Sequence, residues 1–429
     1  MLPFTPYFIS WNTTKRCNLK CSHCYLDAAD LSGDTSNELT TDECYRLIDQ
    51  MSEVAPGAML IITGGEPLLR PDIYDICSYS SQKGFISVLG TNGTPVTDET
   101  AARLVECGVK GVGISLDSMD PKIHDDFRKI DGCWEGAVRG MEACRTHGLD
   151  FQVQTTVVES NYNQIKDLID FSYRAGARAF NLFFLVCTGR GQDLTDITPE
   201  QYHATLDMLV DIQDNYPGMM VRARCAPHYT RNALDSPNKE GYVTGYNKPC
   251  TAGTNYCRIS PEGDVTPCPY MPISAGNVRQ RSFVDIWRNS PLFEEFRNPT
   301  LKGKCGSCEI SHLCGGCRAR AYAHTGDIMA EDPWCNHEPE GIAVPEPEKL
   351  RPLDTTEEFT LYWEDEARAR LAEVPNFARG FVVKGVEGMA KAKGLDRVTA
   401  ELMAEARAKR DEMMKSRFKG LFSMFTGKK

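Results

Sequence analysis

Between residues 8 and 225, short runs of β-branched and aromatic residues alternate with longer stretches whose apolar positions follow a helical period. FISWNTT, AMLIITG, FISVLGT, GVGISLD, FQVQTTVV and ARAFNLFFLV read as buried strands bounded by Gly, Asn or Asp. The stretches between them carry helix start signals, such as Thr41 before DECYRLIDQM and Asn161 before YNQIKDLIDF. Strand–helix alternation at about one unit per 35 residues implies parallel strands joined by right-handed crossovers. Six such units predict an α/β fold, a partial (β/α)6 TIM-type barrel, over residues 1–230. Chemistry in such a barrel collects where the strands end. Four of these ends carry polar or glycine-rich sequence: a cysteine-rich loop, Gly64-Gly65-Glu66-Pro67, Thr91-Asn92-Gly93 and Ser115-Leu116-Asp117.

Residues 245–338 break the rhythm. Strands shorten, cysteines become dense, and the segment is predicted to be a metal-stapled module whose core is too small to stand unaided. Prolines at 339, 345, 347 and 352 predict an extended linker over 339–358, and helical periodicity returns in a small domain at 359–429.

A chain of 429 residues with a net charge of −11 has room for two or three domains and lacks the basic surface that nucleic acid requires. Its 18 cysteines would suggest disulfides in a small secreted protein, but MLPFTPYFIS has no basic and apolar leader pattern. Reduced thiols in a cytoplasm are therefore expected. No apolar run is long enough to span a bilayer, and no membrane contact is expected of the basic and apolar ending KSRFKGLFSMFTGKK.

Cys17, Cys21 and Cys24, in KRCNLKCSHCY, follow the CxxxCxxC spacing. Three thiolates leave a fourth position open on an iron–sulfur cubane, and an open iron can bind and reduce a ligand. Zinc would normally call for a fourth Cys or His in a paired pattern. With GGEP at the end of the second strand, the chain resembles the radical S-adenosylmethionine (SAM) superfamily. The resemblance implies a [4Fe–4S] cluster on the three cysteines, with SAM on its open iron cleaved to a 5′-deoxyadenosyl radical. It also implies SAM contacts from Tyr25, Gly64, Gly65, Glu66, Pro67, Thr91, Asn92, Ser115 and Asp117, and a low-potential electron donor such as a ferredoxin or flavodoxin.

The second cysteine set, Cys250, Cys257, Cys268, Cys305, Cys308, Cys314, Cys317 and Cys335, together with the PCP, GN, IW and CGGCRA landmarks, resembles the SPASM auxiliary-cluster domain. The resemblance implies one or two further [4Fe–4S] clusters, one on Cys250, Cys257, Cys268 and Cys317 and the other on Cys305, Cys308, Cys314 and Cys335. The CGGC pair is one residue shorter than in several relatives, which makes Cys317 the least secure ligand; a zinc ribbon is the alternative. Cys44, Cys77, Cys107, Cys133 and Cys144 read as small buried hydrophobes.

WNTTKRCNLKCSHCY, HDDFRKIDGCWEGAVRG, FFLVCTGRG and RCAPHY resemble the radical SAM enzymes that complete tetrapyrroles on the siroheme-derived route to heme. This implies an iron porphyrinoid or other tetrapyrrole substrate, with oxidative decarboxylation of Fe-coproporphyrin propionates as the reaction. Cys187, Cys225, His228, Arg222 and Arg224, with Arg190, are the candidates for holding it, the arginines on carboxylates and Cys225 or His228 on iron. The pattern around Trp363, Arg370-Leu371, Val374-Pro375, Phe377 and Val386-Glu387 resembles the helical C-terminal domain of a protochlorophyllide reductase subunit. The competing readings are a peptide-modifying maturase, which would ordinarily need a docking domain ahead of the barrel, and a non-catalytic electron carrier.

Overall fold

The computed structural model describes residues 4–28, 31, 35–193, 197–235, 250–340, 359–372, 374 and 376–415. Nearly all of the expected linker at 339–358, and residues 416–429 of the basic and apolar ending, lie outside the described residues. The chain divides into two compact units, one of residues 1–173, 177–243 and 247–345, the other mainly of residues 346–429.

The first unit is organised on a ten-stranded sheet. Its strands β1 (Phe8–Asn12), β2 (Met59–Thr63), β3 (Ile86–Thr91), β4 (Gly111–Ser115), β5 (Asp150–Val157) and β6 (Ala179–Phe184) run parallel in chain order. These are the six strands expected of the partial barrel. A seventh parallel strand, β7 (Met220–Arg224), lies beside β6. At the opposite edge the cysteine-rich module joins the same sheet, because β8 (Tyr256–Ile259) pairs in parallel with β1 and turns back through β9 (Asp264–Thr266) and β10 (Gly276–Asn277). Barrel and module therefore share one unit.

Successive residues on a strand face opposite sides, and the register sorts this sheet into two faces. One carries Ile9, Trp11, Leu60, Ile62, Val112, Ile114, Val153, Phe180 and Leu182, all at most 2% exposed. Each such aliphatic side chain contributes roughly 1.5–3 kcal/mol by leaving water. The other face carries a polar row beside Ile61, Val88 and Phe183: Arg258, Ser10 and Asn12, Thr63, Gly90, Gly113, Ser115, Gln152 and Gln154, Asn181 and Arg222, with Arg224 opposite Phe183. That polar row is the lumen of the open barrel.

Helix starts follow local chemistry. The first helix, Thr41–Val54, is capped one residue earlier than expected: Thr40 accepts from the Glu43 amide while Glu43 closes a capping box. Asn161 caps no helix through its side chain; that amide is spent on the Asp117 and Thr156 carbonyls and on the Val158 N–H.

The second unit packs helices Asp365–Ala372, Asn376–Ala392 and Ala400–Lys415 with a short parallel pair, β11 (Tyr362–Trp363) and β12 (Arg397–Val398). Trp363, Leu371, Val383, Val386, Ala390 and Val398 form its core. The buried Glu387 carboxylate is satisfied by Trp363 Nε1 and by the amides of Thr360 and Leu361.

Candidate functional site

The loop after β1 continues beside β2 rather than leaving the sheet. Thr13 N–H donates to Thr63 O (2.7 Å), Gly65 N–H to Thr14 O (2.8 Å) and Glu66 N–H to Arg16 O (2.8 Å). Gly64 has φ +150°, and a Cβ on either Gly64 or Gly65 would press into the backbone at Thr14 or Arg16. The glycine pair is thus required by the close approach of the cysteine loop.

Glu66 is fully buried. Its carboxylate accepts from Thr91 Oγ1 (2.9 Å to each oxygen), from Asn92 N–H (2.9 Å) and from Leu68 N–H (3.2 Å), while burial pushes its pKa up to about 7. Asn92 in turn donates to Asn18 Oδ1 (2.8 Å) in the cysteine loop. Glu66, Thr91 and Asn92, expected around SAM, are therefore knit to one another and to the loop. Pro67 opens the short helical turn that follows, and Ser115 ends β4 on the luminal face.

Cys17 is buried, with Cys21 and Cys24 packed against the same small cluster. Donors point at the sulfurs: Leu19 N–H lies 3.4 Å from Cys17 Sγ and Arg128 Nη1 3.6 Å from Cys21 Sγ. Burial, helped by the charges of Glu66 and the neighbouring thiols and opposed by the Leu19 N–H, pushes the Cys17 thiol up to about 12, so a thiolate there needs a cation to hold it, as a cluster provides. Arg128 is fixed from behind by Asp117, whose Oδ2 lies 2.7 Å from Nε and 2.6 Å from Nη2. Burial works to raise the Asp117 pKa, but Arg128 keeps it below the usual range. Asp117 therefore sits behind the cluster loop. Tyr25 accepts from Asn12 Nδ2 (3.0 Å) and meets Tyr270 edge to face.

Arg190, expected near a substrate carboxylate, instead grips this loop: it donates to Cys21 O (3.0 Å), Ala28 O (2.7 Å) and Asp27 Oδ1 (2.8 Å). Cys187 packs against Phe127, Val158 and Leu185. By register Arg222 and Arg224 lie on the luminal side of β7, with Arg222 Nη2 against Met220 Sδ and Arg224 Nε 3.0 Å from Asn181 Oδ1. Arg258, at the other edge of the lumen, donates to Asn12 Oδ1. Sequence reasoning missed Arg258, since its place depends on β8 pairing with β1 across the whole barrel, and it missed Arg128, which reaches Cys21 only through the fold.

Cys305, Cys308, Cys314 and Cys335 line a single cavity. Gly316, at φ +67°, leaves the space beside Cys305 Sγ open, and Arg318 Nη2 lies 3.6 Å from that sulfur. His228 lines this same cavity and is 1% exposed, with Nδ1 3.0 Å from the Tyr202 hydroxyl. The expectation of His228 at the barrel mouth is corrected accordingly: it belongs to the cysteine module. Cys317, Cys250 and Cys268 gather on another apolar cluster, and Cys225 joins them there. Cys257, expected in that set, points from β8 to the helix-covered face beside Ile9.

Residues 11–172 match the Radical SAM superfamily, 250–309 an iron–sulfur cluster-binding domain, and 363–407 the proto-chlorophyllide reductase 57 kD subunit family. An AdoMet-dependent heme synthase of Methanosarcina barkeri is 40% identical over 78% of this chain and 97% of its own length. The same-named protein of Nitratidesulfovibrio vulgaris is 40% identical over 77% and 92%, and a mycofactocin maturase of Mycobacterium ulcerans 31% over 77% and 88%. Among solved structures, Streptococcus suis SuiB bound to S-adenosylmethionine superposes with a TM-score of 0.62 at 17% identity over 78% of each chain, which supports the fold. With a three-cysteine loop, a glycine pair pressed against it and a cluster-binding module in one unit, the chain belongs to the radical SAM superfamily of iron–sulfur enzymes, and its cofactors are SAM and [4Fe–4S] clusters.

Proposed function

We propose that the protein binds an iron porphyrinoid in the barrel lumen and oxidatively decarboxylates the propionates of Fe-coproporphyrin to give heme. The observation that carries this reading is the luminal arginine pair Arg222 and Arg224 on β7, facing a polar row in a chain 40% identical to AdoMet-dependent heme synthases. A flat macrocycle edged with carboxylates calls for guanidinium groups at the rim of a roomy site, since Arg pairs with carboxylates in fork geometry. Gly90 and Gly113 keep the lumen floor low: a Cβ on Gly113 would run into the Gln152 and Gln154 amides.

Each side chain –CH2–CH2–COO⁻ becomes –CH=CH2 by losing one hydrogen atom, one carbon dioxide and one electron. When bound, the cluster with SAM supplies the hydrogen-abstracting radical, and an auxiliary cluster supplies an acceptor for the electron. This chain's residues do the positioning. Arg222 and Arg224 hold carboxylates, while Glu66, Asn92, Arg128 and Arg190 fix the cysteine loop over the lumen. A low-potential ferredoxin or flavodoxin is the matching electron donor.

The test is anaerobic incubation of the reconstituted protein with SAM, dithionite and Fe-coproporphyrin. Mass spectrometry should find loss of carbon dioxide from the porphyrin. SAM cleavage with the porphyrin unchanged would move the assignment to peptide maturation, the reading to which the mycofactocin maturase likeness belongs.

A further inference from the structure

The cysteine module contains a thiol that its sequence pattern does not supply. Cys250, Cys268 and Cys317 come together around Val186, Ala252, Met271 and Ala319, and Cys225, from the end of barrel strand β7, packs against the same cluster. These thiols are close enough to feel one another's charge: Cys225 with Cys317 and Cys250, and Cys268 with all three. They are not crowded as ligands of one small ion would be. Among the described residues, groups of three or more Cys, His, Asp or Glu donors lying within 4.8 Å of one another include none of these four. Four thiolates around one zinc would be about 4 Å apart at Zn–S distances of roughly 2.3 Å.

Cys257 is held away by strand geometry. Its neighbours Tyr256 and Arg258 face the lumen, Tyr256 beside Cys268 and Tyr25, and Arg258 on Asn12. Cys257, between them, is therefore on the opposite face, in register with Ile9, fully buried and next to Arg297. Bringing it to Cys268 would require a one-residue slip that turns every β8 side chain over.

The backbone at Cys225 is built for a special position. It has φ +58°, one of three non-glycine residues with positive φ among those described, and such conformations persist where the surroundings enforce them. Here Arg320 Nη2 donates to Cys225 O (2.8 Å) and Arg320 Nη1 to Asp332 Oδ2 (2.9 Å), which also accepts the Cys317 N–H (2.7 Å). The backbones of Cys225 and Cys317 are thus tied through one buried ion pair.

We propose that Cys225 is the fourth thiolate of the first auxiliary [4Fe–4S] cluster, with Cys250, Cys268 and Cys317, and that Cys257 is a structural thiol. The ligand comes from the barrel, one residue beyond Arg224, so substrate strand and electron acceptor are adjacent in the chain. The inference rests on the cluster-binding fold and is independent of which substrate the enzyme takes.

The test uses the full chain with Cys17, Cys21 and Cys24 changed to Ala, so that the remaining iron reports the auxiliary sites. After anaerobic reconstitution, Cys225→Ala should match Cys268→Ala both in the iron it retains and in its auxiliary-cluster electron paramagnetic resonance signal, and Cys257→Ala should match the parent in both. Parent-like iron together with a parent-like signal in Cys225→Ala, or a change in Cys257→Ala equal to that in Cys268→Ala, overturns the proposal. If Cys225→Ala loses the signal of the Cys305 set too and so reports misfolding, Cys225→Ser decides. A shifted electron paramagnetic resonance signal from the auxiliary cluster supports ligation, and the unaltered signal overturns it.

Discussion

Glu66 is a fully buried carboxyl held between the ends of two strands, and burial raises its pKa to about 7 against the pull of the Asn92, Thr91 and Leu68 donors. The unfolded chain releases this proton near 4.5, so folding loses stability as pH rises from there to about 7 and levels off above it. Glu66→Gln removes that dependence. Its stability relative to the parent protein should improve between pH 5 and pH 8, as read from urea midpoints under anaerobic conditions; a constant difference would contradict the assignment. Arg128 acts on the cluster rather than on the fold alone. Hydrogen bonds to cluster sulfurs help set the potential, so withdrawing the guanidinium from Cys21 should make the SAM-binding cluster harder to reduce. Arg128→Met by itself would strand the buried Asp117 charge at a cost of roughly 3–5 kcal/mol. The double change Arg128→Met with Asp117→Asn is therefore the cleaner variant, and a more negative midpoint in a spectroscopically monitored redox titration is the expected result.

At the scale of elements, β7 carries the substrate reading. Arg222→Ala and Arg224→Ala should each weaken Fe-coproporphyrin binding by roughly 1.5–3 kcal/mol if each guanidinium makes a charge-assisted bond to a propionate. Titration followed at the Soret band measures this, and unchanged affinity in both variants would remove the lumen as the porphyrin site. The six barrel strands were legible in the sequence because each is a short apolar run bounded by turn residues, with its helix beside it in the chain. The cysteine loop and glycine pair were legible for the same local reason. What the pattern did not carry was long-range register. β8 joins β1 after the chain has traversed the whole barrel, and that pairing decides that Arg258 faces the lumen while Cys257 faces the helices. His228 follows β7 closely, yet its ring enters the cavity of Cys305 and Cys335, a contact no local signal announces.

At the scale of the molecule, the SAM loop, lumen and cysteine module belong to one compact unit, and the helical residues from 359 onward belong to a second with its own core. Residues 1–345 alone should therefore fold and cleave SAM at the full-length rate; loss of cleavage on truncation would mean that the second unit completes the site. Among the described residues no helix is long and apolar enough to cross a membrane. In the proposed reaction, hydrogen leaves a propionate side chain held in the lumen. Fe-coproporphyrin deuterated at the propionate methylene next to the ring tests it in one measurement, the isotopic mass of the 5′-deoxyadenosine formed under anaerobic turnover. Deuterium should appear in the nucleoside in step with carbon dioxide release. Unlabelled nucleoside together with intact porphyrin would contradict it.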